Sequence, residues 1–224
     1  MRILIADDHE IVRRGICAIL TSNLEWKICG EAVDGREAVE KTQELTPDLI
    51  ILDIAMPRLN GLDAARQILR RDFQQRILIL TALDTPELVI ESFVAGVRGF
   101  VLKSNSQDLE EAVQAVSHGH SFFKGRIGRL ILSYLLDENE QRSCPKDEEL
   151  CVLTPREREI VQLLAEGLST KEVAAVLKMS VKTAATHRNN AMSKIGAHCL
   201  PDLICYCVRK NIVALPVPIQ SVVL

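Results

Sequence analysis

Over the first 120 residues, short and almost uninterrupted apolar runs alternate with longer stretches whose apolar positions recur at helical spacing. Runs 3–6, 26–29, 49–52, 77–80 and 100–102 predict five strands buried on both faces, since a strand with one wet face would alternate with polar residues. Segment 108–117 is typical of the stretches between them. Leu109, Val113 and Val116 form its stripe, Ser106 stands where it can cap the helix, and Gly119 where it can end it. The order, strand then helix repeated five times, predicts an α/β doubly wound, five-stranded parallel sheet followed by a small all-α domain.

From residue 153 the pattern is wholly helical. Thr154, Pro155 and Glu157 form a capped helix start, Ile160, Leu163 and Leu164 give its buried face, and Gly167 ends it. Helices over 170–178, 180–195 and 201–210 are expected next. In the second of these Val181, Ala184, Ala191 and Ile195 make an apolar stripe, while Lys182, Ala185, Thr186, Asn189 and Ser193 line the other side. Between the domains, Ile127, Leu130, Ile131, Tyr134 and Leu135 have helical spacing and are expected to pack back on the sheet domain. Residues 137–150 lack that period and read as an exposed linker, and 214–224, with two prolines, as an irregular tail. The expected division is 1–119, 120–149, 150–215 and 216–224.

Composition narrows the class. At 224 residues and 47% apolar content the chain can bury a core, and two small domains fit its length. Its seven cysteines are odd in number and irregularly spaced, so reduced thiols are expected, and Cys205 and Cys207 lie too close for a zinc knuckle. No run approaches ~18 apolar residues and the first residues lack a cleavable leader, which predicts a cytoplasmic protein with no membrane partner. The net charge of −3 conceals an asymmetry: residues 1–120 carry 13 Lys and Arg against 19 Asp and Glu, whereas 151–224 carry nine against five. A basic second half suits a phosphate-bearing partner.

In an open parallel sheet the site forms beyond the carboxyl ends of the strands, and the residues there are Asp7, Asp8, Asp53, Thr81 and Lys103. Three carboxylates suit a hard divalent cation such as Mg²⁺. With one bound, Asp53 becomes a nucleophile toward a phosphoryl donor, Lys103 offsets charge on the transferring oxygens, and Thr81 can hydrogen-bond the group afterwards. The plainer alternative, that strand ends carry acids because they are exposed, accounts for Asp7 and Asp8 alone but poorly for the five together.

Asp7-Asp8, Asp53 with Met56-Pro57 and Asn60-Gly61, Thr81-Ala82 and Gly99-Phe100-Val101-Leu102-Lys103 resemble the receiver domains of two-component response regulators, over the whole first half. The resemblance implies a flavodoxin-like receiver with Asp53 as phosphoacceptor. It also implies Mg²⁺ held by Asp8, Asp53 and the backbone carbonyl of Ala55 with help from Asp7, and a switch in which Thr81 and the aromatic Phe100 move inward. Phe100 stands where many relatives carry tyrosine.

The second half resembles the LuxR-type output domain of the NarL/FixJ subfamily, through Leu153-Thr154-Pro155-Arg156-Glu157, Ala165-Glu166-Gly167, Lys171-Glu172-Val173-Ala174, Lys182-Thr183 and Thr186-His187. By that resemblance Ala185, Thr186 and Asn189 face bases, and Lys182, Thr183, Arg188 and Lys194 meet phosphates. Thr170, Lys171 and His187 complete the expected DNA-contacting set. Leu203, Ile204, Cys207 and Val208 offer an apolar patch for a homodimer on an inverted repeat. The expected function is a non-enzymatic, phosphorylation-dependent regulator of transcription, fed by a sensor histidine kinase and acting on double-stranded DNA. Two alternatives remain open at this point: a Mg-dependent phosphatase with an aspartyl-phosphate intermediate, and a regulator that binds proteins rather than DNA. Against the phosphatase, Ala55 supplies no proton where a general acid would be needed.

Overall fold

The computed structural model describes residues 1–140 and 153–213, with backbone alone at Ser106 and 137–140. The chain divides into two compact units, Met1–Cys151 and Val152–Leu224.

The first unit is a parallel sheet in the order β2-β1-β3-β4-β5-β6, made of β1 (Arg2–Ala6), β2 (Lys27–Ala32), β3 (Leu49–Leu52), β4 (Arg76–Thr81), β5 (Gly99–Leu102) and β6 (Phe122–Phe123). The sixth strand corrects the expected five. It holds two residues, paired in parallel as Gly99 with Phe122 and Phe100 with Phe123, too few to leave a periodic signal. β2 also runs three residues beyond its expected end. It is an edge strand, half-exposed through most of its length, so polar Glu31 is tolerated inside it.

Alternate residues of the inner strands feed two cores. Leu4, Ile50, Leu52, Ile77, Ile79 and Phe100 pack beneath α2 (Gly35–Leu45), α3 (Gly61–Arg71), α4 (Pro86–Val94) and α6 (Arg126–Glu140). Ile3, Ile5, Ile51, Leu78 and Val101 face α1 (Glu10–Leu20) and α5 (Leu109–Ser117). Each fully buried Ile or Leu contributes about 1.5–3 kcal/mol, so the site is mounted on a sheet whose inner strands are buried on both faces. The residue preceding α5 is Asp108, at the end of a tight turn from Lys103, so Ser106 is not its N-cap; Gly119 does follow the helix, at φ +84°. Ile127 and Ile131 bury the inner face of α6 in the first core, as its spacing predicted. The helix continues through 137–140, residues expected to be linker, and the rest of that linker and the tail lie outside the described residues.

The second unit contains α7 (Pro155–Ala165), α8 (Thr170–Val176), α9 (Val181–Ile195) and α10 (Leu200–Arg209). Thr154 with Glu157 and Ser169 with Glu172 form reciprocal capping boxes, and Gly167 between them takes φ +95°, which a side chain rarely adopts. Two expectations change here. Val181 is 51% exposed rather than part of the buried stripe of α9, because it lies in the first turn. Leu203 and Cys207 are buried in the unit's own core and unavailable to a partner. Burial pushes the Cys207 thiol up to about 12, so it behaves as a small apolar group. Among the described residues Cys17, Cys29, Cys199, Cys205 and Cys207 are free thiols, and no helix is long and apolar enough to cross a membrane.

Candidate functional site

The sheet order reverses about β1, and there the carboxyl ends of β1, β3, β4 and β5 converge. Asp53 follows β3 and is 2% exposed; its Oδ1 accepts from Ile54 N at 2.7 Å and its Oδ2 from Lys103 Nζ at 2.7 Å. The same ammonium lies 2.7 Å from Asp7 Oδ2. One ammonium thus pairs with both buried carboxylates. Burial draws the Lys103 pKa down, but attraction to Asp53 and Asp7 outweighs it and holds the ammonium above the ordinary lysine range.

Asp8 and His9 stand at the rim. His9 Nδ1 lies 2.6 Å from Asp8 Oδ1, and the His9 amide donates to Asp7 Oδ1 at 2.9 Å. Asp7, Asp8 and His9 thereby offer three ligand atoms within 4.8 Å of one another, while Asp53 joins the group through Lys103. His9 was not singled out from the sequence, although it directly follows the two aspartates; nor was Arg13, whose guanidinium donates to the Asp7 carbonyl at 2.9 Å and fixes the turn. Thr81 is fully buried, its Oγ1 accepting from Leu83 N at 3.3 Å. Phe100 is inward at 2% exposure, and Ala55 is half-buried.

In the second unit the expected contact residues separate into an open face and two tied flanks. Ala184 and Ala191 of α9 are fully buried; Lys182, Thr186, Asn189 and Ser193, on the opposite side of the helix, are all exposed. On one flank Arg188 is half-buried and donates to Thr170 Oγ1 at 3.2 Å. On the other, Lys194 donates to Glu157 Oε2 of α7 at 2.8 Å. Thr183 shares a hydrogen bond of 2.7 Å with Ser180, Ala185 and His187 are half-buried, and Lys171 is exposed.

Glu157 was missed as a partner because only packing brings α7 against α9. Burial raises its pKa, yet the Lys194 hydrogen bond and the Thr154 amide outweigh that and hold the carboxyl below its usual range. A lowered folded pKa gives stability that is present above the unfolded value and lost as pH falls through the folded one. Lys194→Met is therefore expected to cost about 1 kcal/mol near neutral pH, the half-exposed lysine being partly screened. Amide exchange in α7 would report it, and the difference between variant and natural chain should vanish in acid.

Comparison with known proteins bears on both sites. The model of the response regulator receiver domain matches residues 3–114, and that of the bacterial regulatory proteins of the luxR family matches 151–207. The response regulator protein VraR of Staphylococcus aureus is 33% identical over 214 residues, covering 95% of this chain and 99% of that relative. The chain belongs to the response regulators of the NarL/FixJ subfamily. Solved structures similar to this response regulator include RcsB of Salmonella enterica serovar Typhimurium bound to a promoter in the presence of a phosphomimetic. That match has 28% identity and a TM-score of 0.57, and covers 92% of this chain and 97% of that one. A LuxR-family response regulator from Aurantimonas sp. SI85-9A1 is 32% identical with a TM-score of 0.57, covering 60% of this chain and 97% of its own. In the response regulator described here, the acidic cluster lies within the receiver match and the open face of α9 within the luxR match.

Proposed function

We propose that the chain is the cytoplasmic output protein of a two-component system, in which a sensor histidine kinase phosphorylates Asp53 and the phosphorylated chain binds double-stranded DNA as a homodimer. The observation that carries this reading is the pairing, in one response regulator, of a buried Asp53 carboxylate 2.7 Å from an ammonium with a capped helical unit that leaves one polar helix face open. Asp7, Asp8 and Asp53, with the Ala55 carbonyl, are oxygen donors that fit Mg²⁺, and Asp7 and Asp8 already hold ligand atoms within 4.8 Å of each other. Bound there, the ion would offset the charge of the phosphoryl oxygens. Lys103 holds Asp53 oriented for attack, and Thr81 lies at the end of the adjoining strand to receive the phosphoryl group. With Leu203 and Cys207 committed to the core, the expected dimer patch reduces to Ile204 and Val208, and the exposed Leu200, one turn before Ile204 along α10, extends it.

Fluorescence anisotropy of a labelled promoter duplex, titrated with the chain before and after acetyl phosphate treatment and across a salt series, tests the proposal. Binding should tighten on phosphorylation and weaken steeply with salt. Lys171→Ala, which removes an exposed cation at the start of α8, should weaken all duplexes alike and lower the salt slope by about 1. Equal affinity with and without acetyl phosphate would remove the gating half of the proposal.

A further inference from the structure

The open face of α9 presents few side chains, of distinct chemistry. With one flank tied through Arg188 to Thr170 and the other through Lys194 to Glu157, the side chains left toward solvent on the line opposite Ala184 and Ala191 are Lys182, Thr186, Asn189 and Ser193. A groove-bound helix meets base edges along this line. Lys182 to Asn189 spans about 10 Å along the axis, about three base-pair steps.

The chemistry of two positions on that line is specific. Thr186 is exposed, but its hydroxyl donates to the Lys182 carbonyl at 3.0 Å, so the donor is used inside the helix and the methyl remains for a partner. Asn189 is exposed and its amide makes no hydrogen bond to any described residue. A free amide matches the N6 donor and N7 acceptor of adenine in the major groove, and a methyl matches the C5-methyl of thymine.

The geometry points to Asn189 and Thr186 as specificity-determining residues that read A·T pairs in each half-site, Asn189 through adenine N6 and N7 and Thr186 through a thymine methyl. This rests on the DNA-binding reading above and adds the sequence class. Asn190 is exposed too, but it projects toward the Lys194 flank and takes no part.

Selection of random duplexes by the full-length chain treated with acetyl phosphate should enrich a site with invariant A·T pairs about three steps apart or closer. Replacing the invariant adenine by 7-deazaadenine removes only N7, and should weaken the natural chain about tenfold or more. It should leave Asn189→Ala, already weakened to that level, unchanged. Uracil for the invariant thymine should cost the natural chain about fourfold and Thr186→Ser nothing. Asn190→Ala should select the same site as the natural chain. Duplexes retained with no invariant A·T pair, or an adenine N7 and a thymine methyl that can be removed without effect, overturn this inference and leave the DNA-binding reading standing. Retention of no duplex at all overturns both.

Discussion

Asp53→Asn protein incubated with acetyl phosphate and Mg²⁺ gains no phosphoryl group by intact-mass measurement, while the natural chain gains one. Asparagine keeps the volume of a side chain that is 2% exposed, and its amide oxygen can still accept from Lys103, so the fold survives the change. What disappears is the nucleophilic carboxylate. Asp7, whose Oδ1 accepts from the His9 amide at 2.9 Å and whose backbone is pinned by Arg13, is expected to stay unmodified in this variant. Modification of the variant to the same extent as the natural chain would move the nucleophile to another residue and end the assignment of Asp53.

Gly61→Ala should unfold the first unit far more readily, by about 3 kcal/mol, and abolish phosphorylation of what remains folded. A Cβ at Gly61 would lie 1.8 Å from the Asp53 carbonyl oxygen and 3.0 Å from Ile54 Cα. Both are backbone atoms, so no rotamer relieves the clash. The close approach is what lets the Gly61 amide donate to the Ile54 carbonyl at 2.9 Å and lets Asn60 cap α3 beside the phosphoacceptor loop. Gly15→Ala is the control. A Cβ there meets nothing within 4 Å, and alanine in mid-helix should stabilise α1 by roughly 0.5–1 kcal/mol. Urea unfolding of the two variants should move in opposite directions from the natural chain.

The sheet was legible because four of its inner strands are nearly pure aliphatic runs, and the residues just past them must lie at one edge of any parallel sheet. The adjacency of Asp7, Asp53 and Lys103 follows from that topology and needs no knowledge of side-chain angles. The contacts that packing alone creates were not legible. Lys194 and Arg188 read as phosphate contacts by resemblance, yet each meets a partner on another helix, Glu157 and Thr170, 37 and 18 residues away. In α10 the apolar positions Leu203, Ile204, Cys207 and Val208 could face a core or a partner, and helical spacing cannot say which half turns inward.

The 15-residue helix α6 is buried along one face of its first two turns and exposes its opposite face. Arg126 donates to Asp84 at 2.8 Å, three residues past Thr81, and Ile127 and Ile131 sit in the core that holds Phe100, while Leu132 and Leu136 stand 57% and 58% exposed. A rod of that length is about 22 Å long. A tilt of about 5° at its base would carry the far end of such a rod roughly 2 Å, so a small shift at the Asp84 contact is expected to be enlarged along α6.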